Sequence, residues 1–105
     1  MPKHVFLGRT VITPAVEERV PVDRLNECLA LHQQGNWGIV DAADRALNNE
    51  QLLEDGRVMS SWQIDVTKPS DGCDDNAFWI ITDGSAAINY AQTGIITTVL
   101  LPEDY

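Results

Sequence analysis

Apolar residues follow helical spacing in the first half of the chain and strand-like alternation in the second. Ahead of the helical part, segment 5–12 is rich in β-branched and aromatic residues and predicts a short strand. Thr13 followed by Pro14 is typical of a helix N-cap and first helical position. Pro21 then predicts that this helix ends within about two turns, because proline disrupts a helix interior.

A second helix is predicted over residues 24–34. Its candidate core residues recur every three or four positions: Leu25, Cys28, Leu29 and His32. Asp23 is the predicted N-cap, and Gly35 is the predicted left-handed residue that terminates the helix.

A third helix is predicted over residues 42–54, with Asp41 as its cap. The side chains predicted to face the core are Ala43, Ala46, Leu47 and Leu53. Asn48 and Asn49 predict a break or kink, because asparagine side chains compete for backbone hydrogen bonds.

The second half of the chain predicts a sheet. Residues 58–66 alternate with period two, which indicates a strand with one packed face. Residues 77–82 are apolar on both faces and are placed centrally, residues 95–101 form the last strand, and residues 86–92 are either a short strand or an irregular excursion. We therefore expect an α+β fold: an antiparallel sheet of three to five strands, mainly from the C-terminal half, with two or three N-terminal helices packed on one face.

The length and charge of the chain restrict its function. A chain of 105 residues accommodates one domain, spanning residues 1–105. The formal net charge is -9, and from Val58 onward Lys68 is the sole basic residue among seven acidic ones. Such a charge disfavours direct binding to nucleic acid or to an anionic membrane. It is typical of a soluble protein, and it also suits a basic protein partner.

The expected compartment is the cytoplasm. The first 14 residues lack the apolar core of a signal peptide, and no apolar run is long enough to span a membrane. Two cysteines are too few for a disulfide framework, and both are expected to be reduced.

Reactive side chains are sparse. Cys28 and His32 lie four residues apart and share a helix face, but a structural zinc site needs two more ligands. A small hydrolase or transferase using this pair or the acidic loop 71–76 is the alternative hypothesis, which fails for the pair if both side chains are packed in the core. The loop lacks EF-hand spacing. We expect no catalytic residue, metal or cofactor.

Protein binding is the favoured function. Trp37 lies between two glycines and is either a surface anchor or a lid over the helix ends. The other predicted partner-binding residues are acidic: Asp71, Asp74, Asp75, Glu103 and Asp104. Segment 95–101 carries no charge, so it could pair with a second copy if it lies at a sheet edge. A homodimer is therefore expected.

Four stretches occur in an order that resembles a known family. They are 32–38 (HQQGNWG), 56–61 (GRVMSS), 78–82 (FWIIT) and 97–105 (TTVLLPEDY). Together they resemble small uncharacterised proteins encoded on plasmids and other mobile genetic elements. The chain departs from that pattern between Asp83 and Ile96, where the family has a short turn with an Asp-Arg pair. The resemblance implies a fold and a mobile-element origin, but no established activity.

These observations together give one functional hypothesis. We expect a non-enzymatic acidic accessory protein that binds another protein, and that mimics nucleic-acid charge toward a basic host or defence factor. A structural homodimer module is the remaining alternative.

Overall fold

The computed structural model describes residues 5, 7–53, 57–83 and 95–105. Its elements, in chain order, are β1 (Arg9–Ile12), α1 (Pro14–Arg19), α2 (Val22–Gln33), α3 (Ala42–Leu53), β2 (Val58–Gln63), β3 (Ala77–Asp83), β4 (Ile96–Leu100) and a 3-10 turn (Pro102–Asp104).

The four strands form one sheet in the order β1-β4-β3-β2. Strands β2, β3 and β4 are an antiparallel meander, whereas β1 pairs in parallel with β4. The α+β prediction is confirmed, although the sheet is mixed and not wholly antiparallel. The central position of β3 is also confirmed. Segment 86–92 lies outside the described residues.

The last strand is not an edge, because β4 lies between β1 and β3. Self-association through the free edge of segment 95–101 is therefore ruled out. Both sides of β4 already have strand partners, so its backbone groups are paired within the chain.

Helices α1 and α2 cover one face of the sheet. The buried apolar residues of this layer are Val16, Val20, Leu25, Cys28, Trp62, Phe78, Ile80, Val99 and Leu101. They come from both helices and from three strands, and the two from β3, Phe78 and Ile80, alternate along that strand. Burying this apolar surface is the main favourable term in holding the helices to the sheet.

The capping predictions are confirmed at three of four positions. The Thr13 hydroxyl accepts from the backbone of Val16, Asp41 accepts from Asp44, and Gly35 adopts a left-handed φ of 81°. The prediction that Asp23 caps α2 is wrong. The helix begins at Val22, and the carbonyl of Pro21 accepts the first helical bond, so Asp23 lies in the first turn.

Helix α3 does not pack as predicted. Ala43 and Ala46 are exposed and Leu47 is 52% exposed, while the side chain of Leu53 lies outside the described residues. Asn48 is buried instead, at 7% exposure. The helix continues through the two asparagines without a break because their side chains bond to other segments and do not compete for the helix backbone.

Asn48 closes part of the outer edge of β2. Its side-chain amide donates to the carbonyl of Met59 at 2.8 Å, and its carbonyl oxygen accepts from the Met59 amide at 3.1 Å. One side chain thus satisfies both backbone groups that an edge strand would leave open. This explains why the polar side chain of Asn48, and not those of Ala43, Ala46 or Leu47, faces the protein.

Two further segments complete the covering of the β2 edge. The Ser61 amide donates to the carbonyl of Trp37, and the Ser61 carbonyl accepts from Ile39. Gly38 lies between these partners with a φ of 70°, and a Cβ there would collide with the Ser61 carbonyl oxygen. The next outward carbonyl, that of Gln63, accepts from the Arg24 guanidinium at 2.8 Å.

We predict that Asn48→Ala lowers the free energy of unfolding by about 2 kcal/mol, because it removes two hydrogen bonds and leaves an amide and a carbonyl of β2 unpaired. Urea denaturation measures the change. Asn26→Ala, at an exposed position of α2, is the matched control, with an expected change within about 0.5 kcal/mol. Equal destabilisation by both variants would contradict the edge-covering role of Asn48.

Candidate functional site

Cys28 and His32 are both fully buried, at 0% exposure. The side chain of Cys28 packs among the apolar residues of the core. Burial raises the pKa of the Cys28 thiol to about 12, so the thiol stays protonated and is a poor nucleophile. The enzymatic hypothesis required this pair to face a solvent-open pocket, and the structure places both side chains in the interior.

His32 is the centre of a buried hydrogen-bond chain that joins α2 to three strands. The chain consists of the contacts Trp62 Nε1 to Ser60 Oγ at 2.6 Å, Ser60 Oγ to His32 Nδ1 at 2.8 Å, His32 Nε2 to Thr82 Oγ1 at 2.9 Å, Thr82 Oγ1 to Thr97 Oγ1 at 2.8 Å, and Thr97 Oγ1 to the Leu7 carbonyl at 2.7 Å. The helical spacing predicts His32 only as a member of the apolar side of α2.

The Leu7 end of the chain fixes the direction of three hydrogen bonds. A carbonyl can only accept, so the single hydroxyl proton of Thr97 goes to Leu7. The hydroxyl of Thr97 has no second proton, so in its bond with Thr82 it must be the acceptor and Thr82 the donor. Thr82 therefore accepts from His32, which requires a proton on Nε2.

The Trp62 end of the hydrogen-bond chain is compatible with this assignment. An indole N–H can only donate, so the Ser60 oxygen accepts from Trp62 and its own proton is free for Nδ1 of His32. We assign His32 as the neutral tautomer, because Nε2 carries the proton given to Thr82 and an uncharged ring leaves Nδ1 to accept from Ser60. Burial lowers the pKa of His32 to about 4, which agrees with an imidazole that is uncharged at neutral pH.

Acidic residues from two distant segments converge on the surface. Asp74, Asp75 and Glu103 line one depression of about 140 Å³ together with Arg19 and Cys73. Asp71 lines a second depression that shares Cys73 with the first, and Asp104 follows Glu103 in the C-terminal turn. We use the term acidic face for these five residues: Asp71, Asp74, Asp75, Glu103 and Asp104. All five are exposed. The structure therefore brings the loop and the C-terminal turn together at the first depression, although the sequence separates them widely.

Arg19 links the two segments of the acidic face. Its guanidinium bonds to the carboxylate of Glu103 at 2.7 Å and to the backbone carbonyl of Asp75 at 3.3 Å. Asp104 is fixed from the other side, because its carboxylate accepts from the Thr13 hydroxyl. Helix α1 and the residue before it thus hold the C-terminal turn in place.

The loop itself is ordered by its own carboxylates. Asp74 accepts from the Ser70 hydroxyl and from the backbone amides of Asn76 and Asp71. The Ser70 bond is the main cause that lowers the pKa of Asp74, so this carboxylate stays ionised in mild acid. Asp71 in turn accepts from the Cys73 amide. The negative charges are therefore held at fixed positions.

Trp37 does not serve as a surface anchor, and that prediction is wrong. The side chain is only 2% exposed, packs with Val5 and Val58, and lies edge-on to His32. Its indole N–H donates to Asn49 at 3.0 Å. Tertiary packing selects the alternative interpretation, in which Trp37 is a lid next to the end of α2.

Searches for a metal site, for a membrane span and for similar proteins assign no function to the described residues. Among the described residues, no three His, Cys, Asp or Glu side chains are grouped so as to hold a metal ion. No helix in the described ranges is long and apolar enough to cross a membrane. No protein-family model, curated protein or solved structure matches the chain.

The buried imidazole predicts a loss of stability in mild acid. The pKa of His32 is about 4 in the fold against 6.5 in the unfolded chain, so between these values only the unfolded chain binds the proton. Stability is then fully present above pH 6.5 and falls by about 3 kcal/mol as the pH drops to about 4. Urea denaturation across this pH range measures the slope.

The variant His32→Gln separates this effect from other titrations. Glutamine keeps one acceptor and one donor but does not titrate, so we expect a flatter dependence of stability on pH in the same range. An unchanged slope in His32→Gln would assign the pH dependence to other groups.

The two cysteines are expected to differ in reactivity. A thiol-alkylating reagent should modify exposed Cys73 in the native protein and reach buried Cys28 only after denaturation. Intact-mass spectrometry should thus show one adduct in buffer and two in denaturant, and Cys73→Ser should show none in buffer. Rapid native modification of Cys28 would contradict its placement in the core.

Proposed function

We propose that this chain is a non-enzymatic accessory protein that binds a basic protein partner through its acidic face, and that it competes there with nucleic acid. The observation that supports this most directly is the convergence of Asp74, Asp75 and Glu103 around one exposed depression. A basic nucleic-acid-binding surface recognises a row of fixed negative charges, which is what phosphates present and what these carboxylates can imitate.

The geometry of the carboxylates favours recognition by charge. Asp74 and Asp104 are held by donors of the chain itself, so binding does not have to order them. Asp75 uses its backbone carbonyl to bind Arg19, while its side chain is exposed. The net charge of -9 extends the attraction beyond the depression and speeds association with a basic partner.

The resemblance to mobile-element proteins directs the choice of target. A protein encoded on a plasmid encounters basic nucleic-acid-binding proteins of its host, including those that act against foreign DNA. We therefore propose a host or defence factor as the partner class. The buried positions of Cys28 and His32 favour this hypothesis over the small-enzyme alternative.

The proposal predicts displacement of DNA-binding proteins. Host lysate is bound to a double-stranded DNA column at low salt, and the purified protein is added as eluent. We expect it to release a specific basic protein, whose affinity for the chain then falls steeply with added salt. Binding that persists unchanged at high salt, or elution of nothing, would contradict the proposal.

Two charge-matched variants localise the effect. Asp71→Asn with Asp75→Asn removes two charges from the acidic face and keeps a side-chain oxygen to accept from Cys73. Asp23→Asn with Glu50→Gln removes two exposed charges elsewhere. We expect the first pair of substitutions to raise the Kd roughly tenfold, which is the size of effect that two exposed ion pairs have. The second pair should raise the Kd by less than half of that factor. An equal rise in Kd for both pairs would contradict the location of the binding site on the acidic face.

A further inference from the structure

Within the described residues, no strand pairs with the outer side of β1. The amides of Arg9 and Thr13 donate to the carbonyls of Ile95 and Val99. Because backbone groups alternate in direction along a strand, Val11 also faces β4, whereas Thr10 and Ile12 direct their amides and carbonyls away from the sheet. No backbone bond to these outward groups comes from the residues that the structure describes.

The two outer strands of the sheet differ in whether their outward backbone groups have partners. Along β2, the backbone groups of Met59 and Ser61 are satisfied by Asn48 and by the segment next to Trp37. Strand β1 carries neither proline nor an inward-pointing charge, and its apolar neighbourhood is exposed: Val11 at 41%, Ile12 at 38% and Ile96 at 42%. Such an edge is a template for another strand.

We propose that β1 pairs antiparallel with β1 of a second copy, about a two-fold axis at Val11. In this register Thr10 lies opposite Ile12 of the other copy, and each such pair exchanges two backbone bonds, so four bonds cross the interface. The two sheets become one sheet of eight strands in the order β2-β3-β4-β1-β1-β4-β3-β2. Its outermost strands are both β2, whose edges are already covered.

Charge supports a second copy as the occupant. Arg9 is the one charged residue of β1, and the two-fold register places it opposite Thr13 of the other copy. The Thr13 hydroxyl binds the carboxylate of Asp104. Each Arg9 therefore approaches an acidic group across the axis, and this attraction offsets part of the repulsion between two molecules of net charge -9.

The dimer and the proposed partner binding respond oppositely to salt, so their tests are independent. Backbone pairing between copies of like charge is expected to persist or strengthen as salt is added, because salt screens the repulsion. Binding of a basic partner to the acidic face weakens under the same conditions. Light scattering after size-exclusion chromatography should give twice the 11.6 kDa of one chain at both low and high salt.

Variants of the edge test the register. Thr10→Pro removes one outward amide per copy, and hence two of the four bonds, without touching the bonds to β4. We expect the dimer Kd to rise about thirtyfold, which corresponds to about 2 kcal/mol at 1.4 kcal/mol per tenfold. Val11→Lys should also dissociate the dimer, because it sets two like charges at the axis. Val66→Lys, at a loop valine that is 60% exposed, is the control and should leave the mass unchanged.

Hydrogen exchange gives a readout that does not depend on a variant. The amides of Thr10 and Ile12 should be protected at concentrations where the dimer forms and should exchange rapidly on dilution, while the Val11 amide stays protected throughout. A wild-type protein that is monomeric at all concentrations would overturn the proposal. So would a dimer whose Thr10 and Ile12 amides gain no protection, or one that Val11→Lys leaves intact.

Discussion

A single directional hydrogen-bond chain through the core constrains the rest of this structure. It runs from the indole of Trp62 through His32 to the carbonyl of Leu7, and it ties α2 to all three strands of the meander and to the segment before β1. The Leu7 carbonyl imposes the proton order as far as Nε2 of His32, and each polar group is satisfied only when helix and strands are in register. Apolar burial favours a collapsed core, and this hydrogen-bond chain selects one arrangement of that core.

The same requirement to satisfy backbone groups explains the outer parts of the fold. Covering the β2 edge places Asn48 against the sheet and fixes the segment around Gly38, although α3 then exposes its alanines. An amide and a carbonyl of Met59 left unpaired beneath α3, where Asn48 is buried, would cost more than the burial of a few methyl groups gains. The edge formed by β1 has no such cover among the described residues, which makes the two sides of the sheet unequal.

Function follows from what the fold leaves at its surface. The interior takes up the thiol of Cys28 and the imidazole of His32, so this pair is not presented to a substrate. The exterior presents carboxylates held by Arg19 and by hydroxyl donors such as Ser70. We propose that this surface acts through its charge and shape on a basic partner.

The sequence alone determined the local features: the Thr13 cap, the Gly35 terminator, the helix and strand types and the α+β class, because each depends on neighbouring residues. It could not determine which face of α3 packs or whether Trp37 is exposed, since these depend on a strand edge that forms from distant residues. It also left open the interior place of β4. Only the tertiary structure decided these points, because satisfying buried backbone and imidazole groups outweighs the local apolar pattern.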